Sequence, residues 1–122
     1  MKQLLLVFLG GGAGSVLRYG ISRFLNLSGN IPYGTLTVNI LGSLLIGFLI
    51  GLSLRENLLT SNTMLLLVTG FCGGFTTFSA FSYENQLLLK NGDFFHFLLY
   101  GMGSILLGVG AVYVGVLLSK AL

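Results

Sequence analysis

The sequence predicts an all-α integral membrane protein with four transmembrane helices in a single domain over residues 1–122. Of the 122 residues, 54% are hydrophobic and only 7% are charged, and the mean hydropathy is +0.94. A soluble domain of this size could not bury so much apolar surface. Segments of about 18 or more apolar residues can cross a bilayer. Four such segments lie at approximately 3–24, 34–54, 64–89 and 94–118.

The connections between these spans are too short to hold a catalytic or ATP-hydrolysing domain. They cover residues 25–33, 55–63 and 90–93 and contain the only proline, Pro32. The sequence has no nucleophile–base pair, no cluster of metal-ligating side chains and no phosphate-binding loop, so we do not expect an enzyme. The net charge of +3 is scattered along the chain and gives no support to nucleic-acid binding.

Positive charges are divided almost evenly between the two sides of the membrane. Four spans place both termini on one side. That side carries Lys2, Arg55 and Lys120, and the other carries Arg23 and Lys90, with Arg18 if its side chain reaches outward. An excess of cations on one side normally sets the orientation. Two interpretations therefore stay open: one topology set by another feature, or insertion of the chain in both orientations.

Small residues recur at helical spacing on three of the spans. These faces contain Gly10 and Gly14 on the first span, Ser43, Gly47 and Gly51 on the second, and Gly103, Leu107, Ala111 and Gly115 on the fourth. Such faces let helix backbones approach closely in lipid. Packing within one subunit accounts for most of them. The remainder suggest a homo-oligomer, of which a dimer is the simplest closed form.

Polar side chains follow one face of the second span and, more weakly, of the fourth. Thr35, Asn39 and Ser43 are each four residues apart, and Tyr100 and Ser104 have the same spacing. Polar groups at membrane depth need partners. The rows therefore either join helices to one another or face a water-filled or ion-conducting crevice.

The third span contains a stretch that disfavours a continuous helix, GFCGGFTTFSAFS at residues 70–82. We expect the chain to unwind from Gly73 to Thr76, because glycines and consecutive β-branched threonines weaken a helix. Backbone groups freed at membrane depth must be buried in protein or line a cavity. Freed carbonyls can bind a cation. The alternative is a kink that eases packing.

A helix is expected to restart after this break with aromatic and polar side chains on one face. The members of this face are Phe78, Phe81, Ser82 and Asn85. Aromatic residues at this spacing usually pack in a core, but ring edges beside hydroxyl and amide donors also suit a small anion. Glu84, the one acid within a predicted span, lies either at a solvated helix end or in an entrance. Arg18 either reaches the interface or binds backbone carbonyls.

Three segments resemble the signature segments of the Fluc (CrcB) fluoride channel family. They are GGGAGSVLRYG at 10–20, GTLTVNILGSLLIG at 34–47 and GFCGGFTTFSAF at 70–81. The resemblance covers the whole chain in order, with the family's length and four-span layout. It implies a multi-pass protein of the cell (inner) membrane that exports toxic fluoride passively. It also implies an antiparallel, dual-topology homodimer with two pores, which agrees with the balanced charges.

The resemblance further implies roles for individual residues. Fluoride would pass Asn39, Phe78 and Phe81, and the hydroxyl groups of Ser79, Ser82, Thr35, Ser43, Tyr100 and Ser104. Arg18 and Glu84 would lie in a vestibule. A structural sodium ion at the dimer centre would be held by the backbone carbonyls of Gly73 and Thr76. Two positions depart from the family pattern and remove expected hydroxyl donors, namely Ala80, where many relatives carry threonine, and Gly108, where a serine often continues the row.

Two other classes of small membrane protein fit the sequence less well. A small multidrug exporter of similar size needs a membrane-embedded carboxylate in its first span for proton exchange, and the first span here has none. A non-catalytic assembly subunit would explain the glycine faces. It would not explain ordered polar rows on three helices.

Overall fold

The computed structural model describes residues 1–26, 29–55 and 58–122, and within these ranges its regular secondary structure is entirely helical. The helices are α1 (Lys2–Leu25), α2 (Tyr33–Ser53), α3 (Ser61–Met64), a π-helix (Leu65–Cys72), α4 (Gly73–Phe75), α5 (Phe78–Lys90) and α6 (Phe94–Lys120). Four helical units are long and apolar enough to cross a membrane, and the third, Ser61–Lys90, comprises α3, the π-helix, α4 and α5. The predicted all-α architecture with four spans is confirmed. Residues 27–28 and 56–57 of the predicted connections lie outside the described residues.

Helices α2 and α6 form the most extensive helix pair, and glycines bring their backbones together. A Cβ atom on Gly47 would overlap the carbonyl of Val112, and one on Gly115 would overlap the carbonyl of Leu44. Because lipid gives no hydrophobic drive for helix association, such close van der Waals contact is what stabilises the pair. The small-residue face of the second span therefore packs within one subunit.

Glycines also join α1 to the first half of the third span. Gly10 lies against the carbonyl of Leu66, Gly14 against that of Phe71, and Gly74 against that of Gly11. Gly103, by contrast, has no atom within 4 Å of the position that a Cβ would take. Of the predicted small-residue faces, those of α1 and α2 are thus used inside the subunit, whereas Gly103 is left open.

The break in the third span lies later than the sequence indicated, which corrects the prediction that Gly73 to Thr76 unwinds. Gly73 keeps helical angles, with φ −62° and ψ −38°, and α4 continues to Phe75. The extended residues are Thr76, with ψ 157°, and Thr77, with φ −149° and ψ 122°. The reason is a partner outside the span, since the N–H of Thr77 donates to the side chain of Asn39 on α2 rather than to a helical carbonyl.

Polar contacts fix the ends of the helices at the membrane boundaries. The Asn26 side chain accepts a hydrogen bond of 2.6 Å from the Gly34 N–H at the start of α2. Asp93 caps α6 by accepting from the N–H of His96 at 3.3 Å. Arg55 donates to the carbonyl of Ser119 at 2.7 Å, which ties the end of α2 to the end of α6. These contacts satisfy backbone groups that helix ends otherwise leave unpaired.

Candidate ion-conduction site

A crevice of about 540 Å³ runs between α2, the third span and α6. Its lining combines amide, hydroxyl, aromatic and small side chains. The polar and aromatic members are Asn39, Ser43, Thr69, Thr76, Thr77, Phe78, Phe81 and Ser104. None of the described residues that line the crevice is charged, so these residues would hold an ion by dipoles rather than by an opposite charge.

Asn39 satisfies both backbone groups of Thr77 at the break. Its Nδ2 donates to the Thr77 carbonyl at 3.1 Å, and its Oδ1 accepts from the Thr77 N–H at 2.8 Å. The amide thereby replaces the helical partners that Thr77 has lost and keeps the chain extended there. Because an amide nitrogen carries two hydrogens, one N–H of Asn39 is left for a ligand in the crevice.

The second half of the third span, α5, begins next to the hydrogen bonds between Asn39 and Thr77. The Thr77 hydroxyl accepts from the N–H of Ala80 at 3.1 Å and so caps α5. This N-cap explains why the helix restarts at Phe78, since threonine favours that position. The first turn of α5, with its partial positive charge, therefore faces the crevice.

Two phenylalanine rings follow immediately on α5. Phe78 is 79% exposed, and its ring centroid lies 5.8 Å from that of the half-buried Phe81. Phe81 in turn lies 5.2 Å from the ring of Tyr100. Asn85, one turn further, is buried and donates to the carbonyl of Phe81 at 2.9 Å. A ring as exposed as that of Phe78, in the lining of the crevice, is free to offer its edge to an ion.

Glu84, itself half-buried, is the centre of a separate polar cluster. The Thr35 hydroxyl donates to Oε1 at 2.6 Å, and the Tyr100 hydroxyl donates to Oε2 at 2.8 Å. Thr35 and Tyr100 are each only 2% exposed. The carboxylate of Glu84 therefore has two hydroxyl partners and does not lie at a simple solvated helix end.

A second cavity adjoins Glu84 at the side of the membrane that carries the α1–α2 connection. It has a volume of about 490 Å³ and is lined by polar residues that include Asn26, Asn30, Asn91, Asp93 and Glu84. Here His96 contacts the Asp93 carboxylate at 2.8 Å. The pKa of Asp93 is lowered, and the main cause is the hydrogen bond from the His96 side chain.

Arg18 is directed to the backbone of the third span. Its Nε donates to the carbonyl of Gly74 at 2.9 Å, and the Ser15 hydroxyl lies 3.4 Å from the same oxygen. Gly74 sits between Gly73 and the break. The guanidinium thus supports the segment next to the break instead of extending to the membrane surface.

Comparison with known families decides what kind of protein has this arrangement. Residues 5–116 match the profile of the family described as CrcB-like protein, Camphor Resistance (CrcB). The chain belongs to the CrcB-like family.

Three curated relatives of this CrcB-like chain share the name Fluoride-specific ion channel FluC. The relative from Phocaeicola vulgatus is 48% identical over 122 residues, covering 98% of this chain and 100% of the relative. That from Chlorobaculum tepidum is 47% identical, with 98% and 96% covered. That from Chlorobium chlorochromatii is 44% identical, with 97% and 92% covered. Together with the four spans, the family makes the chain a multi-pass protein of the cell membrane.

The structure of this CrcB-like chain brings only part of the predicted fluoride path together. Asn39, Ser43, Phe78, Phe81 and Ser104 line the crevice. Thr35 and Tyr100 belong instead to the Glu84 cluster. Ser79 and Ser82 are exposed and lie outside the crevice lining.

The two residues predicted to hold sodium lie on either side of the end of α4. Gly73 and Thr76 both line the crevice. Among the described residues no N–H or O–H donates to either carbonyl, while the Thr76 hydroxyl itself turns back to the carbonyl of Cys72 at 2.9 Å. Backbone carbonyls are suitable ligands for a hard cation, so the donor set fits the expected ion. No group of three or more His, Cys, Asp or Glu side chains in the described ranges offers an alternative metal site.

Thr69 lines the crevice and was not predicted as part of the site. It precedes Gly73 by four residues and Thr76 by seven, which is one helical face. The spacing of four and seven residues can be read from the sequence. The prediction did not use it, because it considered only the stretch that begins at Gly70.

Proposed function

We propose that the protein is a fluoride-selective channel that lets fluoride leave the cell passively. The observation that carries this proposal is full-length similarity, at nearly half identity, to proteins named fluoride-specific ion channel. Hydrogen fluoride is a weak acid that enters cells neutral and dissociates inside. A passive path for the anion would therefore lower cytoplasmic fluoride toxicity.

The chemistry of the crevice supports a small, strongly hydrated anion. Fluoride gives up its water only where close donors replace it, and the free N–H of Asn39 and the hydroxyls of Ser43 and Ser104 can do so. The Ser104 oxygen is buried and has no hydrogen-bond partner among the described residues. The edges of Phe78 and Phe81 add weak positive potential.

The absence of a cation from the crevice lining also favours conduction over tight binding. An ion must be held well enough to enter and weakly enough to leave. Amide, hydroxyl and ring-edge dipoles give a shallow attraction, whereas a lysine or arginine in the lining would trap the anion. The N-terminus of α5 contributes a further partial positive charge without a fixed one.

Two copies would be needed to complete the path. The crevice is open rather than enclosed, and Phe78 in its lining is largely exposed. An antiparallel, dual-topology homodimer would close two such crevices and form two pores. The nearly even division of lysines and arginines between the two membrane sides supports insertion in both orientations.

A structural sodium ion would hold the dimer centre. The carbonyls of Gly73 and Thr76 from each copy would supply four oxygen ligands. Such an ion would stabilise the two breaks against one another and would not move with fluoride. Reconstitution in sodium-free and sodium-containing buffer tests this role, since loss of flux without sodium is the expected result and equal flux would contradict it.

Ion-selective electrode measurements test the main proposal. Liposomes that contain the purified protein and are loaded with equal potassium fluoride and potassium chloride should release fluoride quickly and little chloride once valinomycin lets potassium leave. Protein-free liposomes prepared in parallel give the background. Equal release of the two halides, or no fluoride release above background, would contradict a fluoride-selective channel.

A further inference from the structure

Thr69 has a hydroxyl group without a partner at membrane depth. It lies in the π-helix and lines the crevice together with Ser43 and Gly73. No hydrogen bond joins the Thr69 hydroxyl to any residue in the described part of the chain, whereas Thr76 and Thr77 both use theirs. Thr69 is exposed at the crevice, so its hydroxyl is available to donate to a ligand there.

The Thr69 hydroxyl differs from two other hydroxyls of the chain, which bind backbone carbonyls. In an α-helix, threonine commonly turns back to a carbonyl three or four residues earlier. Thr76 does so to Cys72, and Ser119 does so to Val116. The wider turn of a π-helix changes where these carbonyls lie, and π-helical turns are frequent at functional sites. In the π-helix, Thr69 makes no such bond and keeps its donor for the crevice.

Thr69 also occupies the end of the crevice that the other donors do not reach. Along α2 the lining passes from Asn39 through Ser43 to Ile46, and the antiparallel third span passes Thr69 before it reaches Thr76. Thr69 therefore lies at the Ile46 end, away from the phenylalanine rings. Ser43 and Thr69 are the hydroxyl-bearing residues of the lining in that half.

We infer that the Thr69 hydroxyl is a further fluoride donor and receives the ion at the end of the crevice opposite Phe78 and Phe81. This inference rests on the proposed channel function and adds a residue to its path. An ion that leaves Ser43 toward the side of the chain termini meets Thr69 as its next hydroxyl.

The test compares two substitutions at Thr69 with one matched control. Thr69→Val removes the hydroxyl and keeps the branched shape, whereas Thr69→Ser keeps the hydroxyl. Thr37→Val makes the same change on α2, outside the crevice lining. At low fluoride load, we expect Thr69→Val to lower the initial rate of efflux about tenfold, since bonds to a charged partner are strong. Thr69→Ser and Thr37→Val should stay within about twofold of the unmodified protein.

Three outcomes would overturn the inference, and they are distinguishable. Unchanged efflux in Thr69→Val would remove Thr69 from the path and leave the channel intact. Loss of dimer mass in Thr69→Val by light scattering, restored in Thr69→Ser, would make the hydroxyl a contact between subunits. Absence of fluoride efflux in the unmodified protein would instead contradict the channel function itself.

Discussion

The side chain of Asn39 binds the backbone of Thr77 through two hydrogen bonds, of 3.1 and 2.8 Å, across 38 positions of sequence. The contact holds the third span open at the point where α5 begins. It also places one unused N–H of Asn39 beside the rings of α5. The side-chain amide of Asn39 thus both holds the break in the third span and supplies a hydrogen-bond donor to the crevice.

Replacement of Asn39 by aspartate should abolish fluoride transport. A carboxylate cannot donate to the Thr77 carbonyl, and it places a negative charge where the anion must pass. We expect fluoride efflux from liposomes to fall to the background of protein-free vesicles. Asn62→Asp, on the exposed first turn of the third span, makes the same chemical change far from the crevice and should conduct normally. Normal flux in Asn39→Asp would remove this residue from the path.

Loss of a hydroxyl partner of Glu84 should destabilise the protein. Tyr100→Phe leaves Oε2 without its donor in a part-buried cluster, so we expect the free energy of unfolding to fall by about 1–3 kcal/mol. Tyr113, exposed on the same helix, gives the control, and Tyr113→Phe should change stability by less than about 0.5 kcal/mol. Unfolding in detergent provides the measurement.

Thr35 and Tyr100 should act together through the same carboxylate. In a cycle of Thr35→Val, Tyr100→Phe and the double variant, the two effects on stability should be non-additive, with a coupling of at least about 0.5 kcal/mol. Strict additivity would show that the two hydroxyls do not share Glu84 in the folded protein.

The contact between α2 and α6 should not tolerate a methyl group at Gly115. Alanine there would overlap the carbonyl of Leu44, and overpacking typically costs about 1–3 kcal/mol. Gly110→Ala, on the same helix with nothing within 4 Å of its Cβ position, should leave the melting temperature unchanged or raise it, since alanine favours a helix. Equal melting temperatures for the two variants, with Gly115→Ala as stable as the parent, would contradict the close approach.

The cap of α6 should weaken in acid. His96 lowers the pKa of Asp93 below its ordinary value of 3.8, so folding favours the charged carboxylate. This contribution is present above the ordinary pKa and is lost as the pH falls through the lowered one, at about pH 4 and below. Asparagine can still cap the helix. The advantage in melting temperature of the unmodified protein over Asp93→Asn should therefore shrink on acidification, and a constant advantage would contradict it.

Helical spacing predicted which faces are polar but not what covers each face. Thr35, Asn39 and Ser43 do lie on one side of α2, yet α5 and α6 cover Thr35 with Glu84 and Tyr100 and leave Asn39 and Ser43 in the crevice. Which residue is covered depends on the position of the third span along the axis of α2. That register is set by contacts distant in sequence.

The position of the break was missed for the same reason. Local propensity identified a weak segment at Gly73 and Gly74, but both are helical. The chain opens at Thr76 and Thr77, where Asn39 offers an alternative partner. Glycine permits a break, whereas a hydrogen bond from another helix determines where it occurs.

The central claim is that fluoride moves passively and alone through this protein. Liposomes loaded with potassium fluoride, with the same buffered pH inside and outside, test it most directly. If the claim holds, external fluoride stays low until valinomycin lets potassium leave, and then rises rapidly in vesicles that contain the unmodified protein but not in those with Asn39→Asp. If fluoride left only when a proton gradient was imposed, the protein would be a proton-coupled transporter and not a passive channel.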